Sequence, residues 1–379
     1  MTTKKKSINL KYNNLKLGEI YPSDIIITLI FCLIFISQYM GVGKVYYQLS
    51  LIILVFFLYF FNNKMINFIF KKNNFFLFFL IFSIPIVVLI TIIDKRLGPL
   101  FFLINFLSSI ILAIFLYIKT ERSIKLSKRI FLFLVIWFIF EGLQHGFSPK
   151  NINHYFLNSS RNSVSMIFIF SCIFLYLSYL NGNKNISLLP SIVLLIIAFM
   201  SYGRSGIILS AVIFISIWVY INFDNLSSLK LTLFFICSIL MLFLLINLGS
   251  YIFTNTRLSA GLESPRFLIN EAYFNEIDIV NLIVGFDYRK ISIISQYNNN
   301  PHNSFILLHY NIGLGSIFLL VVILIYFIKG LINYSLKNIL IIIFCLVFLL
   351  RVFFDTIAFI GIYDFLFFYS LLSINRQLV

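Results

Sequence analysis

The chain has 379 residues, of which 61% are hydrophobic and only 11% charged, with a mean hydropathy of +1.00. A soluble domain carries about 25% charged residues, and no soluble core could hide this much apolar surface, so soluble globular and disordered classes are excluded. The net charge of +16 does not call for nucleic acid, because the cytoplasmic loops of membrane proteins are rich in Lys and Arg for topological reasons.

Taken in chain order, the first 24 residues are polar and basic, and the apolar run after them lacks a small-residue cleavage site. It reads as a retained anchor. A helix needs about 20 apolar residues to cross the hydrocarbon core. The apolar runs predict spans near 24–40, 45–61, 75–93, 99–118, 130–147, 163–180, 186–201, 206–222, 229–253, 303–328, 338–356 and 358–373. The expected fold is therefore all-α and polytopic, about 12 transmembrane helices forming a single transmembrane domain over 1–379. The runs are solidly apolar rather than alternating, which argues against a strand barrel. Cys32, Cys172, Cys237 and Cys345 all lie inside apolar runs, so neither a disulfide nor a metal cluster is expected.

With the N-terminus placed inside, the inner segments hold 18 basic residues and the outer segments 10, while Arg351 falls within a span. This bias predicts both termini cytoplasmic. Only three inner basic residues are Arg (Arg122, Arg129, Arg376), whereas six of the ten outer ones are. Topology needs positive charge alone, which Lys supplies; a planar fork that grips phosphate oxygens in pairs needs Arg. The outer face reads as an anion-binding surface.

One long polar stretch, 254–302, is expected as a large periplasmic loop between the ninth and tenth spans. A loop of that length is usually functional or disordered. Within it, Phe267, Asn270, Glu271 and Phe274 have helical spacing and predict an amphipathic helix over 265–274.

Four constellations could carry chemistry. Ser201-Tyr202-Gly203-Arg204-Ser205-Gly206 joins two spans on the outer side. A guanidinium in so short a turn sits at the membrane boundary, either in a functional cavity or snorkelling to lipid phosphates. Pro301-His302-Asn303-Ser304 leads into the tenth span, with His302 expected in its first helical turn and His309 two turns deeper on the same stripe. Such a His can take a proton near neutral pH, or simply bond loop backbone. Gly313 and Gly315 follow and permit close helix approach. The loop itself supplies Arg257, Arg266 and Arg289 among Glu263, Glu271, Glu276, Asp278 and Asp287, as anion ligands or as surface ion pairs. Asn158-Ser159-Ser160-Arg161-Asn162-Ser163, preceded by His154 and Tyr155, leads into the sixth span as a polar site or an ordinary capped helix start. No P-loop, paired-cysteine site or outer carboxylate cluster is present in the sequence. No metal or cofactor is expected, and a reactive bond has to arrive with the substrate.

At these residues the chain resembles the O-antigen ligase and polymerase superfamily, bacterial membrane glycosyltransferases acting on undecaprenyl-diphosphate-linked glycans. The likeness lies in an Arg within a short Gly-containing segment (Ser201–Gly206), a large periplasmic loop containing an Arg, and a Pro-His-Asn element before a Gly-rich helix start (Pro301–Gly315). Order and spacing agree over roughly 160–330. Where family members carry a Trp a few residues after the loop Arg, this chain has Phe267 and later Tyr273 and Phe274.

The resemblance implies a C-type membrane glycosyltransferase fold and an active site facing the periplasm of the bacterial inner membrane. The catalytic residues it implies are His302, Arg204 and Arg266, with Arg161, Arg257, Arg289, Asn303 and Tyr202 binding substrate. The reaction it implies joins lipid-linked repeat units of an O-antigen or capsular polysaccharide, with the undecaprenyl-diphosphate-linked oligosaccharide as both donor and acceptor. Membrane lipid and a chain-length regulator protein are the further expected partners, without nucleic acid. The Phe/Ile/Asn-rich spans look like those of polymerases; an O-antigen ligase transferring to lipid A–core shares the motifs. A lipid-linked oligosaccharide flippase is the rival from another class, disfavoured by the dominant loop and by the lack of visible repeat symmetry.

Overall fold

The computed structural model describes residues 28, 49, 51–56, 83–92, 98–156, 160–222, 265–297, 299–333, 335–356, 359 and 363–374. The expected spans at 24–40 and 229–253, most of that at 45–61, and the residues Cys32, Cys237, Arg257 and Glu263 lie outside the described residues. Every regular element among them is helical: α1 (Ser83–Ile92), α2 (Gly98–Ile118), α3 (Thr120–His145), α4 (Pro149–Ile152), α5 (Arg161–Asn181), α6 (Leu189–Ser201) and α7 (Arg204–Asn222). The second half of the chain adds α8 (Pro265–Asn275), α9 (Ile279–Val284), α10 (Ser292–Ser295), α11 (Ser304–Ile312), α12 (Leu314–Ile332), α13 (Leu336–Phe353) and α14 (Asp364–Ile374). Among the described residues, α2, α5, α7, α12 and α13 are long and apolar enough to cross a membrane. The protein is a membrane-embedded helical protein.

Burial sorts these helices. α5 is apolar on all sides and 89% of its most apolar stretch is buried, which makes it the centre of the bundle. Every residue of α14 is buried, and it packs against α2, α13 and α5. The abundance of Phe is spent here, in pairs such as Phe106–Phe368 (4.8 Å, edge-on), Phe170–Phe348 (4.9 Å) and Phe174–Phe365 (5.3 Å, edge-on). α7 and α12 are peripheral, with Ile208 and Val212, and Leu320, Val321 and Leu324, turned outward as a lipid-facing surface.

The bundle has two distinct ends. Ser123 of α3 bonds Ser178 of α5 at 2.7 Å, and Lys337 donates to Asn183 Oδ1 at 3.3 Å. The start of α3, the end of α5 and the start of α13 therefore share one end, along with the basic run 119–129. The starts of α5 and α7 and the end of α13 share the other, and that end carries Arg161, Arg204 and Arg351.

Two expectations about the second half change. The span expected over 303–328 is two helices, broken at Gly313. Gly313 has φ +46°, and a Cβ there would strike the Ile283 carbonyl; Gly285 has φ +84°, and a Cβ there would strike the His309 carbonyl. These glycines let α9 of the loop lie backbone against backbone on the α11–α12 junction, a role for loop docking rather than for a second membrane helix. The helix predicted over 265–274 is there, ending at Asn275. Its buried face, however, is Ile269 and Tyr273 (0% and 1% exposed), while Phe274 is 62% exposed and Glu271 is also exposed. A period of 3.6 fits several stripes, and the loop helices packed beneath α8 choose the inward one.

Candidate functional site: an arginine and histidine cluster

The starts of α5, α7, α8 and α11 and the ends of α6 and α13 are linked at one end of the bundle. α6 stops at Ser201 because Tyr202 takes a left-handed conformation (φ 52°), and α7 restarts at Arg204. The glycines flanking Arg204 are used by α5: a Cβ at Gly203 would come within 2.9 Å of Asn162 Oδ1, and one at Gly206 within 2.6 Å of Ser165 Oγ. That close contact sets the first residues of α5 and α7 side by side, so the Arg161 and Arg204 charges act on each other. Both guanidiniums are partly exposed, and neither has a side-chain hydrogen bond or ion pair among the described residues.

Arg351 binds this pair of helix starts to the end of α13. Its side chain is 1% exposed. Nη1 donates to Ser205 Oγ at 2.8 Å, and Nη2 donates to the Asn162 carbonyl at 3.1 Å and to Asp355 Oδ2 at 3.4 Å. Its buried Nε has no acceptor among the described residues. Ser304, the first residue of α11, donates through Oγ to the Asp355 carbonyl at 2.6 Å. The start of α11 is thereby joined to the same point.

His302 precedes α11 rather than lying in its first turn. Its φ is 50°, and Asn303 is the N-cap, accepting from Phe305 N at 2.8 Å. Asn303 is buried and donates to Asn270 Oδ1 of α8 at 3.0 Å, so its amide is committed to holding the loop helix. This brings Arg266, at the start of α8, near His302 and Arg351, and its charge acts on both. Arg266 is partly exposed, without a protein partner for its guanidinium among the described residues. The His302 ring meets Tyr297 edge-on at 6.0 Å, and its buried Nδ1 has no hydrogen-bond partner among the described residues.

Of the residues singled out in the sequence, Arg161 and Arg204 thus form one pair, with Tyr202 exposed next to Gly203, and Arg266 and His302 another; Arg351 joins the two through Ser205 and the Asn162 carbonyl. Arg289 is engaged differently. Its Nε and Nη2 grip Asp287 at 2.9 and 2.8 Å, Nη2 also reaches Tyr310 Oη at 2.8 Å, and the hydrogen bond to Asp287 raises its pKa further. This fork clasps the loop to α11. His309 is likewise committed: Nδ1 pairs with Tyr273 Oη at 2.7 Å and Nε2 with the Leu282 carbonyl at 3.2 Å. Arg351 and Asp355 join these residues, although hydropathy puts Arg351 merely inside a span. An intramembrane Arg with an acid four residues on was the available signal.

Two features make this end attractive to an anion. Arg161, Arg204 and Arg266 have forks without a protein partner among the described residues, and the starts of α5, α7 and α11 bring the positive ends of their helix dipoles to this end. Asp355 is the carboxylate facing them, one quarter exposed and held by Arg351 and the Thr356 N–H. Among the described residues, no three His, Cys, Asp or Glu side chains are grouped so as to hold a metal ion.

The pKa of His302 is lowered from its ordinary 6.5, first by burial and then by the Arg266 charge, with Asp355 opposing both. The ring is neutral at pH 7 and free to accept a proton. The sign follows: the neutral form is fully present above 6.5 and is lost as pH falls from there through the lowered pKa. An activity that uses neutral His302 is expected to show an acid limb below pH 6.5, and Asp355→Asn should move that limb to lower pH. A pH–rate profile checks this; an unmoved limb would assign the titration to another group.

No family model, no curated protein and no solved structure matches this chain.

Proposed function

We propose that the protein is a polysaccharide polymerase of the bacterial inner membrane, joining undecaprenyl-diphosphate-linked oligosaccharide repeat units at its periplasmic face. The observation that carries this reading is the pairing of Arg161 with Arg204 and of Arg266 with His302, from four separate stretches of chain, joined through the buried Arg351. Such a site suits a diphosphate headgroup at the membrane boundary. In this reading the chain has twelve spans with both termini cytoplasmic and a C-type glycosyltransferase arrangement.

The acceptor sugar hydroxyl attacks the anomeric carbon of the donor. The C1–oxygen bond to the diphosphate breaks, and undecaprenyl diphosphate leaves with the electron pair. Arg204 and Arg266, with Arg161 assisting, take the negative charge that grows on the leaving oxygen through charge-assisted hydrogen bonds. His302 accepts the proton released by the acceptor hydroxyl. Arg257 remains a proposed further ligand from the loop, while Asn303 and Arg289 support the loop that carries Arg266.

Purified protein in vesicles or detergent, supplied only with lipid-diphosphate-linked repeat units, is expected to lengthen the glycan. Extension that appears only after lipid A–core is added would make it a ligase. Passage of the lipid-linked glycan across the vesicle membrane without any new glycosidic bond would make it a flippase.

A further inference from the structure

His302 has a left-handed backbone, unusual for a residue with a side chain. Something must hold it there, because the conformation decides where the ring points. The holding group is the Asn300 side chain. Its Oδ1 accepts from the His302 backbone N–H at 3.0 Å, a local turn of the kind Asn favours. The same oxygen accepts from Thr356 Oγ1, also at 3.0 Å. Thr356 in turn follows Asp355, whose Oδ1 accepts from the Thr356 backbone N–H at 3.1 Å and whose Oδ2 meets Arg351. From the other side, the Asn300 N–H donates to the Tyr297 carbonyl at 3.0 Å, and the Tyr297 ring stands edge-on to His302. The carboxamide oxygen of Asn300 is thus a two-way junction. It ties the histidine turn to the end of α13, the same end that anchors Arg351.

We propose that Asn300 and Thr356 are positioning residues that fix the aim of the His302 imidazole into the arginine cluster. The inference rests on the polymerase reading above for its assay, since His302 is there the proton acceptor. Neither residue touches substrate. Losing either hydrogen bond releases the turn, and His302 moves relative to the acceptor hydroxyl while the phosphate-gripping arginines keep their places. The consequence is a selective one: turnover falls and substrate binding does not.

The test compares Asn300→Ala, Asn300→Asp, Thr356→Val and Thr356→Ser in the full-length protein reconstituted with lipid-diphosphate-linked repeat units, beside wild type and His302→Ala. Asn300→Ala and Thr356→Val are each expected to lower kcat about 10- to 100-fold, the scale of a misplaced catalytic group, with KM changed by less than about two-fold. Asn300→Asp keeps the accepting oxygen and Thr356→Ser keeps the donating hydroxyl, so both are expected within about three-fold of wild type. A role confined to stability would lower the amount of folded protein without this split between kcat and KM. If Asn300→Ala fails to insert, Thr356→Val against Thr356→Ser decides alone. Wild type without elongation overturns the polymerase reading and this inference with it; wild type active with His302→Ala at full rate removes His302 from the chemistry and overturns this inference alone. Wild type active, His302→Ala slow, and both Asn300→Ala and Thr356→Val at the wild-type rate overturn this inference alone.

Discussion

Alanine at Arg204, Arg266 or His302 is expected to shorten or abolish the glycan ladder in cells, with the elongation rate of each purified variant reduced about 100- to 1000-fold. The size follows from where the charge develops. A guanidinium facing the leaving phosphate oxygen acts at the membrane boundary, where water screens it less than in bulk, and its two parallel N–H groups match a phosphate edge. The fold should tolerate these changes. Arg204 and Arg266 are partly exposed and have no protein partner among the described residues, so their removal strands no buried acceptor there. Membrane insertion and detergent behaviour should therefore match wild type. Lysine at Arg204 or Arg266 keeps the charge and loses the fork, and should recover only part of the rate. Full-length ladders from all three alanine variants would remove these residues from the chemistry.

Arg351→Met is expected to act on the structure first. Arg351 is buried, and its fork is shared among Ser205 of α7, the Asn162 carbonyl of α5 and Asp355 beyond α13. Methionine fills much of the volume but leaves the Asn162 carbonyl and the Ser205 hydroxyl without that donor and Asp355 without its cation. Breaking a buried pair from one side costs about 3–5 kcal/mol. Asp355 is one quarter exposed and can turn toward water, so the lower end, about 3 kcal/mol, is expected. In detergent this should lower the unfolding midpoint by about 5 °C. Activity should fall as well, because the starts of α5 and α7 carry Arg161 and Arg204. Arg351→Lys should be intermediate, since one ammonium cannot reach three acceptors on three elements. An unchanged midpoint for Arg351→Met would show that the helix ends are held together by their apolar contacts alone.

These two sets of residues also mark the limit of what hydropathy and spacing reveal. The apolar runs over 163–180 and 206–222 announce α5 and α7, and the spacing over 265–274 announces α8, because helix length and period are local properties of the chain. The glycines around Arg204 and the Pro301-His302-Asn303 segment are equally visible as sequence. Which way α8 turns is not visible, and the outward Phe274 shows why: a helical stripe is inward only if something packs on it. The break at Gly313 is hidden for the same reason, since it depends on the Ile283 carbonyl arriving from a loop segment 30 residues earlier.

The amino-acid order by itself decided that the chain lives in a membrane, that its helices are apolar enough to cross one, and that arginine collects on one set of connections. Each of these follows from composition and short-range pattern. Only the tertiary structure decided that Arg351 lies against Asn162 and Ser205, that Arg289 and His309 are tied up in docking the loop, and that the Asn300 side chain accepts from both the His302 N–H and Thr356 Oγ1. Those are meetings between residues up to 189 positions apart. The free energy that selects them comes from the packing of whole helices, which no single stretch of sequence encodes.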